Sequence, residues 1–160
     1  MRGIGFAAVA GAVGVALAMA PVAQADPMAD PPPGADDIRD LPIAEGRYTT
    51  PAPEDFYHVF FKTPDGRFCG IGPNGGPVGC DDAPRDAPAG SNQTVVNSWG
   101  PATYRHADEA SFTRDVDVLP EGHRLENWGA TCGLDHQGTV TCTTYGHHGF
   151  LISELDGLLW

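Results

Sequence analysis

Short apolar segments alternate with turn residues through most of the chain. Residues 56–61 are mostly aromatic or β-branched, and residues 64–66 (Pro-Asp-Gly) follow them as a turn signal. Further along, Val116 and Val118 alternate with aspartates, which is the pattern of a strand with one buried face. No window between residues 55 and 150 has a convincing helical period. The pattern predicts a mainly β fold, a small antiparallel domain of the sandwich or barrel-like type.

The C-terminal residues follow a different spacing. Leu151, Ile152, Leu155, Leu158 and Leu159 fit one face of a helix. The prediction therefore allows a short C-terminal helix after the strands.

Four cysteines lie in two pairs along the chain, Cys69 with Cys80 and Cys132 with Cys142. Four cysteines allow three pairings, and the sequence alone does not choose among them. The spacing favours the local pairing, because each pair flanks a polar, Gly-containing turn whose hairpin would bring the two cysteines opposite each other. The intervening gaps of ten and nine residues are unlike the close cysteine pairs of structural zinc sites. Both segments contain Cys-Gly followed by Ile or Leu, which we interpret as two hairpins of common chemistry rather than an internal duplication.

The N-terminus has the order of a secretory signal peptide. Arg2 precedes an uncharged apolar stretch over residues 4–20, and Ala-Gln-Ala at residues 23–25 supplies the small residues of a cleavage site. We expect a Sec signal peptide over residues 1–25, cleaved after Ala25, and a secreted mature protein. No cysteine follows the apolar stretch, so a lipoprotein is not expected. The alternative is a membrane anchor, for which the stretch is short, and no later segment is apolar enough to span a bilayer.

The mature sequence divides into two parts. Residues 26–54 are rich in Pro and Asp and are predicted to be extended or disordered, whereas residues 55–160 are predicted to form one disulfide-stapled β domain. The full chain carries a net charge of −12, and without Arg2 the balance is 8 basic against 21 acidic residues, or −13. A surface of that sign repels phosphate backbones and anionic lipid headgroups, so nucleic-acid binding is not expected.

Several short segments follow one another in a recognisable order. In that order the chain resembles a family of small secreted, disulfide-containing proteins of mycobacteria and related actinobacteria, whose function is unknown. The resemblance spans roughly residues 57–153 and implies export and a disulfide-stapled fold, without implying an activity. The family's final motif usually reads Gly-His-Gly-Phe, and here a second His is present. The segments are Phe61-x-Thr63-Pro64-Asp65-Gly66-x-x-Cys69, Cys80, Leu119-Pro120-x-Gly122-x-x-Leu125, Cys132, Gly138-x-x-x-Cys142 and Gly146-His147-His148-Gly149-Phe150-x-Ile152-Ser153.

Histidine is the strongest candidate for chemistry, because the sequence contains no G-x-S-x-G elbow and no H-E-x-x-H zinc motif. His147 and His148 are adjacent, and adjacent residues of a strand point to opposite faces, so they should not share one metal ion. We interpret His147 as a residue that hydrogen-bonds backbone at a turn and His148 as solvent-facing. A metal-binding or catalytic role is the alternative. No catalytic residue, metal site or cofactor is assigned.

Aromatic residues suggest a binding role. A groove for a glycan or a peptide could be formed by Trp99, Tyr104, Trp128, Tyr145 and Trp160. For Trp99 and Trp128 we expect a core position, since each stands beside a Gly at a strand end. Trp160 is expected either to pack onto the sheet or to form an exposed patch for a partner, and packing is favoured.

These observations favour a non-catalytic secreted domain that binds a cell-envelope component or another protein, with the partner unknown. The alternative is a secreted hydrolase that uses acidic residues or His, since 21 acidic residues offer many carboxylate pairs. A second alternative is metal binding through His147 and nearby groups.

Overall fold

Strands dominate the computed structural model, which describes residues 30–160. The predicted signal peptide and its cleavage site lie outside the described residues. Two short 3₁₀ helices, η1 (Asp37–Asp40) and η2 (Pro53–Asp55), precede ten strands. The first five are β1 (Val59–Lys62), β2 (Phe68–Ile71), β3 (Val78–Cys80), β4 (Gln93–Asn97) and β5 (Gly100–Arg105). The second five are β6 (His123–Asn127), β7 (Ala130–Leu134), β8 (Val140–Thr143), β9 (Gly149–Ile152) and β10 (Gly157–Leu159).

Each set of five strands forms its own sheet, in which every strand pairs antiparallel with its neighbour in sequence. The two sheets pack face to face around one apolar core, with β1 against β6, β2 against β7, β4 against β9 and β5 against β10. The predicted antiparallel β fold is therefore confirmed, in its sandwich form.

The local disulfide pairing is also confirmed. Cys69 stands directly opposite Cys80 in the first sheet, and Cys132 stands opposite Cys142 in the second. The Cα atoms are 4.0 Å and 4.1 Å apart in the two pairs, and both disulfides are formed and buried. Each bridge therefore joins the second and third strands of its sheet.

The likeness between the two cysteine segments extends to whole sheets. In the first sheet one cross-strand row contains Phe61, Cys69 and Cys80, and in the second the corresponding row contains Leu125 and the other two cysteines. Strand number, strand order and bridge position are the same in both. The correspondence is thus wider than the two hairpins of common chemistry that the sequence suggests.

A glycine after the first cysteine of each sheet lets a covering segment lie directly on the outer face. A methyl group on Gly70 would lie 2.9 Å from Phe112 Cδ1, and a methyl group on Gly133 would lie 2.9 Å from Ile38 Cβ. Such contacts leave no room for a side chain, which explains why Cys-Gly occurs in both strands. We call residues 106–118 the first cover and residues 34–44 the second cover.

Two expectations need correction. The domain begins before residue 55, because the second cover and the following chain are packed: Ile38, Ala44 and Tyr48 are buried, and Tyr48 O accepts a hydrogen bond from Phe60 N at 2.8 Å. The prediction of an extended or disordered segment followed from its high Pro and Asp content, and the few apolar residues that anchor it are not apparent from that composition. The C-terminal segment is strand β10 and not a helix, because it completes the second sheet beside β9. No helix within residues 30–160 is long and apolar enough to cross a membrane.

Candidate functional site

Every exposed aromatic side chain of the described residues lies at one end of the sandwich. We call this the aromatic end and define it by Phe56, Tyr57, Trp99, Trp128 and Tyr145, which are 67%, 61%, 70%, 48% and 54% exposed. They stand on the segment before β1, on the β4–β5 and β6–β7 turns and on the β8–β9 loop. Exposed tryptophan is uncommon in a folded domain, so such a concentration indicates a contact surface.

Hydrogen bonds hold the loops of the two sheets together at this end. Asn127, at the end of β6, donates from Nδ2 to Tyr57 O at 2.7 Å and to Ile71 O at 2.9 Å. Within the first sheet, Ser98 N donates to Gly75 O at 2.7 Å. The aromatic side chains therefore stand on loops whose backbones are fixed relative to each other.

The residues other than glycine that have a left-handed backbone conformation also lie at this end. Among the described residues other than glycine, only Tyr57, Asn74, Trp128 and His147 have a positive φ, of 80°, 53°, 49° and 63° respectively. Each such conformation costs a bulky L-residue about 1 kcal/mol or more. Asn adopts the left-handed conformation at a lower cost than Tyr or Trp does. The fold thus keeps large exposed aromatics where smaller residues would be more stable, which is typical of functional surfaces.

The turn at Trp128 shows this most clearly. Asn127 pairs with Ala130, so Trp128 and Gly129 form a two-residue hairpin loop, and both have positive φ, as a type I′ turn requires. Asn-Gly is the preferred sequence of that turn. Trp128, in the first loop position, is therefore not explained by the stability of the turn.

The expected core positions of Trp99 and Trp128 are wrong. Both stand on turns, where a neighbouring Gly marks the reversal of the chain rather than close packing. Tyr104 and Trp160, by contrast, are 8% and 1% exposed and belong to the interior, and burial raises the pKa of Tyr104 to about 12. Trp160 O accepts hydrogen bonds from Ala102 N of the first sheet and from Gly149 N of the second. Of the five predicted groove residues, the structure brings three to one surface.

The two candidate histidines lie in the β8–β9 loop of the aromatic end. His147 is exposed and His148 is half-buried. His147 N donates to Thr144 O at 3.1 Å, and His148 O accepts from Thr144 N at 2.9 Å, so their backbones close the loop. Within residues 30–160, no three His, Cys, Asp or Glu residues are placed so that they could hold a metal ion.

The opposite end of the sandwich carries charged residues. Asp65, Arg67, Asp82, Arg85 and Glu154 line a cleft there, which we call the polar cleft. Burial raises the pKa of the Asp82 carboxyl. Burial alone would also raise the pKa of Asp65, but hydrogen bonds from Arg67 and Thr63 lower it below its usual value. The nearly buried Arg67 donates to Ile152 O at 3.1 Å and pairs with Asp65 at 2.9 Å, so it also ties the two sheets together.

Sequence reasoning missed Phe56 and Tyr57, which it assigns to the start of a strand. Strand β1 begins only at Val59, and the left-handed Tyr57 reverses the chain before it. An aromatic run gives no sign of this reversal. The tryptophans did carry a signal, since Asn precedes and Gly follows each within a short span.

No protein-family model, curated protein or solved structure matches this chain.

Proposed function

We propose that this chain is an exported, non-catalytic binding domain and that the aromatic end is its binding surface. The observation that carries the proposal is that all exposed aromatic side chains of residues 30–160 and all their left-handed non-glycine residues are at that end. Trp and Tyr are enriched among the few residues that carry most of the binding energy at protein contact surfaces.

Export is supported by residues 1–25, which have the residue order of a signal peptide, and by the two disulfides, which persist in oxidising compartments. A component of the cell envelope, or a protein located there, is the partner that an exported domain would meet.

Sedimentation with the envelope fraction of the source organism tests the proposal. The oxidised protein should be retained by that fraction, and the double variant Tyr57→Asn/Trp128→Asn should be retained at least about tenfold more weakly, as expected for loss of hot-spot aromatics. Asn is chosen because it tolerates left-handed backbone, so both turns are kept.

The matched control is Arg85→Ala in the polar cleft, an exposed change that should leave retention unaltered. Equal retention of the double variant and the original protein would refute the proposed surface. Greater loss in Arg85→Ala would move the surface to the opposite end.

A hydrolase is the second candidate, because the polar cleft places a carboxyl with a raised pKa, Asp82, beside one with a lowered pKa, Asp65. A proton donor and an ionised carboxylate are the pair that hydrolysis of a glycosidic bond needs. Release of soluble sugar from the envelope fraction, lost in both Asp65→Asn and Asp82→Asn, would support this candidate. No release by the original protein would refute it.

A further inference from the structure

We propose that the groove beside Tyr57 and Trp128 binds a positively charged Arg or Lys side chain of a protein partner. The inference rests on the proposed function and specifies the chemistry that the aromatic end recognises.

Neighbouring rings in this groove contact each other at steep angles, in edge-type arrangements. The centroids of Phe56 and Tyr57 are 4.4 Å apart with an angle of 68° between the ring planes, and those of Tyr57 and Trp128 are 5.7 Å apart at 89°. A cation is attracted to the exposed face of an aromatic ring, and Tyr57 and Trp128 are 61% and 48% exposed beside the groove.

The net charge of the chain, rather than a free charge in the groove, favours a cation. Asp55 is the one carboxylate that lines the groove, and no Lys or Arg is among the described lining residues. Asp55 is already paired with Arg114, so the attraction must come from the rings and from the net charge of −12 on the whole chain. That charge raises the local concentration of basic partners and repels acidic ones.

The same geometry disfavours a sugar. A sugar ring stacks on a flat aromatic face, whereas two planes at 89° present no common platform. Trp99 and Tyr145, which are 70% and 54% exposed, add further exposed aromatic surface at the same end, outside the groove. Trp, Tyr and Arg are the residues enriched at the centres of protein contacts.

The test is an NMR titration of the ¹⁵N-labelled oxidised protein with a capped peptide of alternating Gly and Arg. We expect saturable shifts at the amides of Tyr57 and Trp128 and at the Trp128 indole. A matched peptide with citrulline in place of Arg should bind about fivefold more weakly or worse, because it lacks the charge. Added salt should weaken the binding of the Arg peptide and leave the binding of the citrulline peptide unchanged.

Three variants test whether the chemical-shift changes arise from binding in the groove. Tyr57→Asn and Trp128→Asn should each remove the shifts, and Trp99→Asn, at the same end but outside the groove, should retain them. Equal binding of the two peptides, shifts that persist in Trp128→Asn, or similar shifts with a trisaccharide of N-acetylglucosamine would each overturn the inference.

Failure of the cation proposal can be told apart from failure of the binding surface. If the Arg peptide does not bind but envelope retention still depends on Tyr57 and Trp128, the surface stands and its ligand is of another class. If retention is also independent of these residues, both proposals fall.

Discussion

The two sheets have the same strands, the same bridge position and the same glycine seat, but their covers are held in different ways. The first cover is fixed by the buried side chains of Phe112 and Val116 and, in addition, by buried charge. Asp55 accepts from Arg114 Nε at 2.7 Å and from Arg114 Nη2 at 2.9 Å, and Asp55 is 4% exposed. The second cover is fixed by Ile38 and by backbone hydrogen bonds to β6, and its own ion pair, Arg39 with Asp36, is exposed.

Asp81 strengthens the first cover further. Its carboxylate accepts from the backbone N–H groups of Ser111 and Phe112, each at 2.8 Å, and from the Thr113 hydroxyl and the Gln93 amide. Burial alone would raise the pKa of Asp81, but these bonds lower it below its ordinary value. Both covers thus place a buried apolar side chain on the glycine of their sheet, and only the first adds buried charge to that contact.

Truncating the seated side chains should give the largest effect. Phe112→Ala should lower the free energy of unfolding by about 3–5 kcal/mol, because a fully buried ring leaves a cavity on Gly70. Ile38→Ala should cost less, near the lower end of about 2–5 kcal/mol, since Ile38 is smaller and lies nearer the surface. Denaturant unfolding measures both. A larger loss for Ile38→Ala would mean that the second cover contributes more to stability.

Removing one bridge at a time should have the next largest effect. The bridged cysteines are 11 and 10 residues apart in sequence, so each bridge restricts the unfolded chain to a similar degree. Replacing both cysteines of either pair by Ala should cost about 3 kcal/mol. Unequal losses in thermal or denaturant unfolding would show that the sheets are less equivalent than their topology indicates.

Neutralising Asp55, which pairs with Arg114, should have the third largest effect on stability. The Arg114 hydrogen bonds lower the pKa of Asp55, so this carboxylate stabilises the fold at neutral pH. Asp55→Asn should therefore cost about 1.5–3 kcal/mol at pH 7. The exposed counterpart, Asp36→Asn, should change stability by less than about 0.5 kcal/mol.

The effect of Asp55→Asn on the free energy of unfolding should also depend on pH. A carboxyl whose pKa is lowered on folding stabilises the native state above its unfolded pKa, and that contribution is lost as the pH falls through the folded pKa. The gap between Asp55→Asn and the original protein should thus narrow below about pH 4. Unfolding curves from pH 7 to pH 2 measure it. A gap independent of pH would show that Asp55 acts through packing rather than charge.

The smallest effect concerns the turn of the second sheet. Trp128→Asn should leave the free energy of unfolding unchanged or raise it by up to about 1 kcal/mol, because Asn fits the left-handed position better. Trp99→Asn, on the β4–β5 turn and without a left-handed φ, should change stability by less than about 0.5 kcal/mol. A loss above about 1 kcal/mol for Trp128→Asn would make Trp128 a structural residue.

The sequence predicted the features that depend on local pattern. Short apolar runs between turns correctly indicated a mainly β fold, and Gly-containing turns between the cysteines gave the correct bridges. The strand predicted from the alternation at Val116 and Val118 is wrong: this segment belongs to the first cover and makes only an isolated bridge between Lys62 and Val118.

The sequence did not predict features that depend on distant contacts. Whether Trp99 is buried depends on what lies beside its turn, and whether residues 34–44 are ordered depends on a glycine seat almost one hundred residues away in sequence, at Gly133. The aromatic end brings together loops from both sheets, which no local pattern can show.

The sequential pairing of the strands has a consequence for oxidation. Because each sheet is a meander, Cys69 meets Cys80 as soon as one hairpin has closed, while Cys132 is still more than fifty residues behind it in the emerging chain. Short loops close far faster than long ones. We therefore expect each cysteine to oxidise with its hairpin partner more readily than with a cysteine of the other sheet.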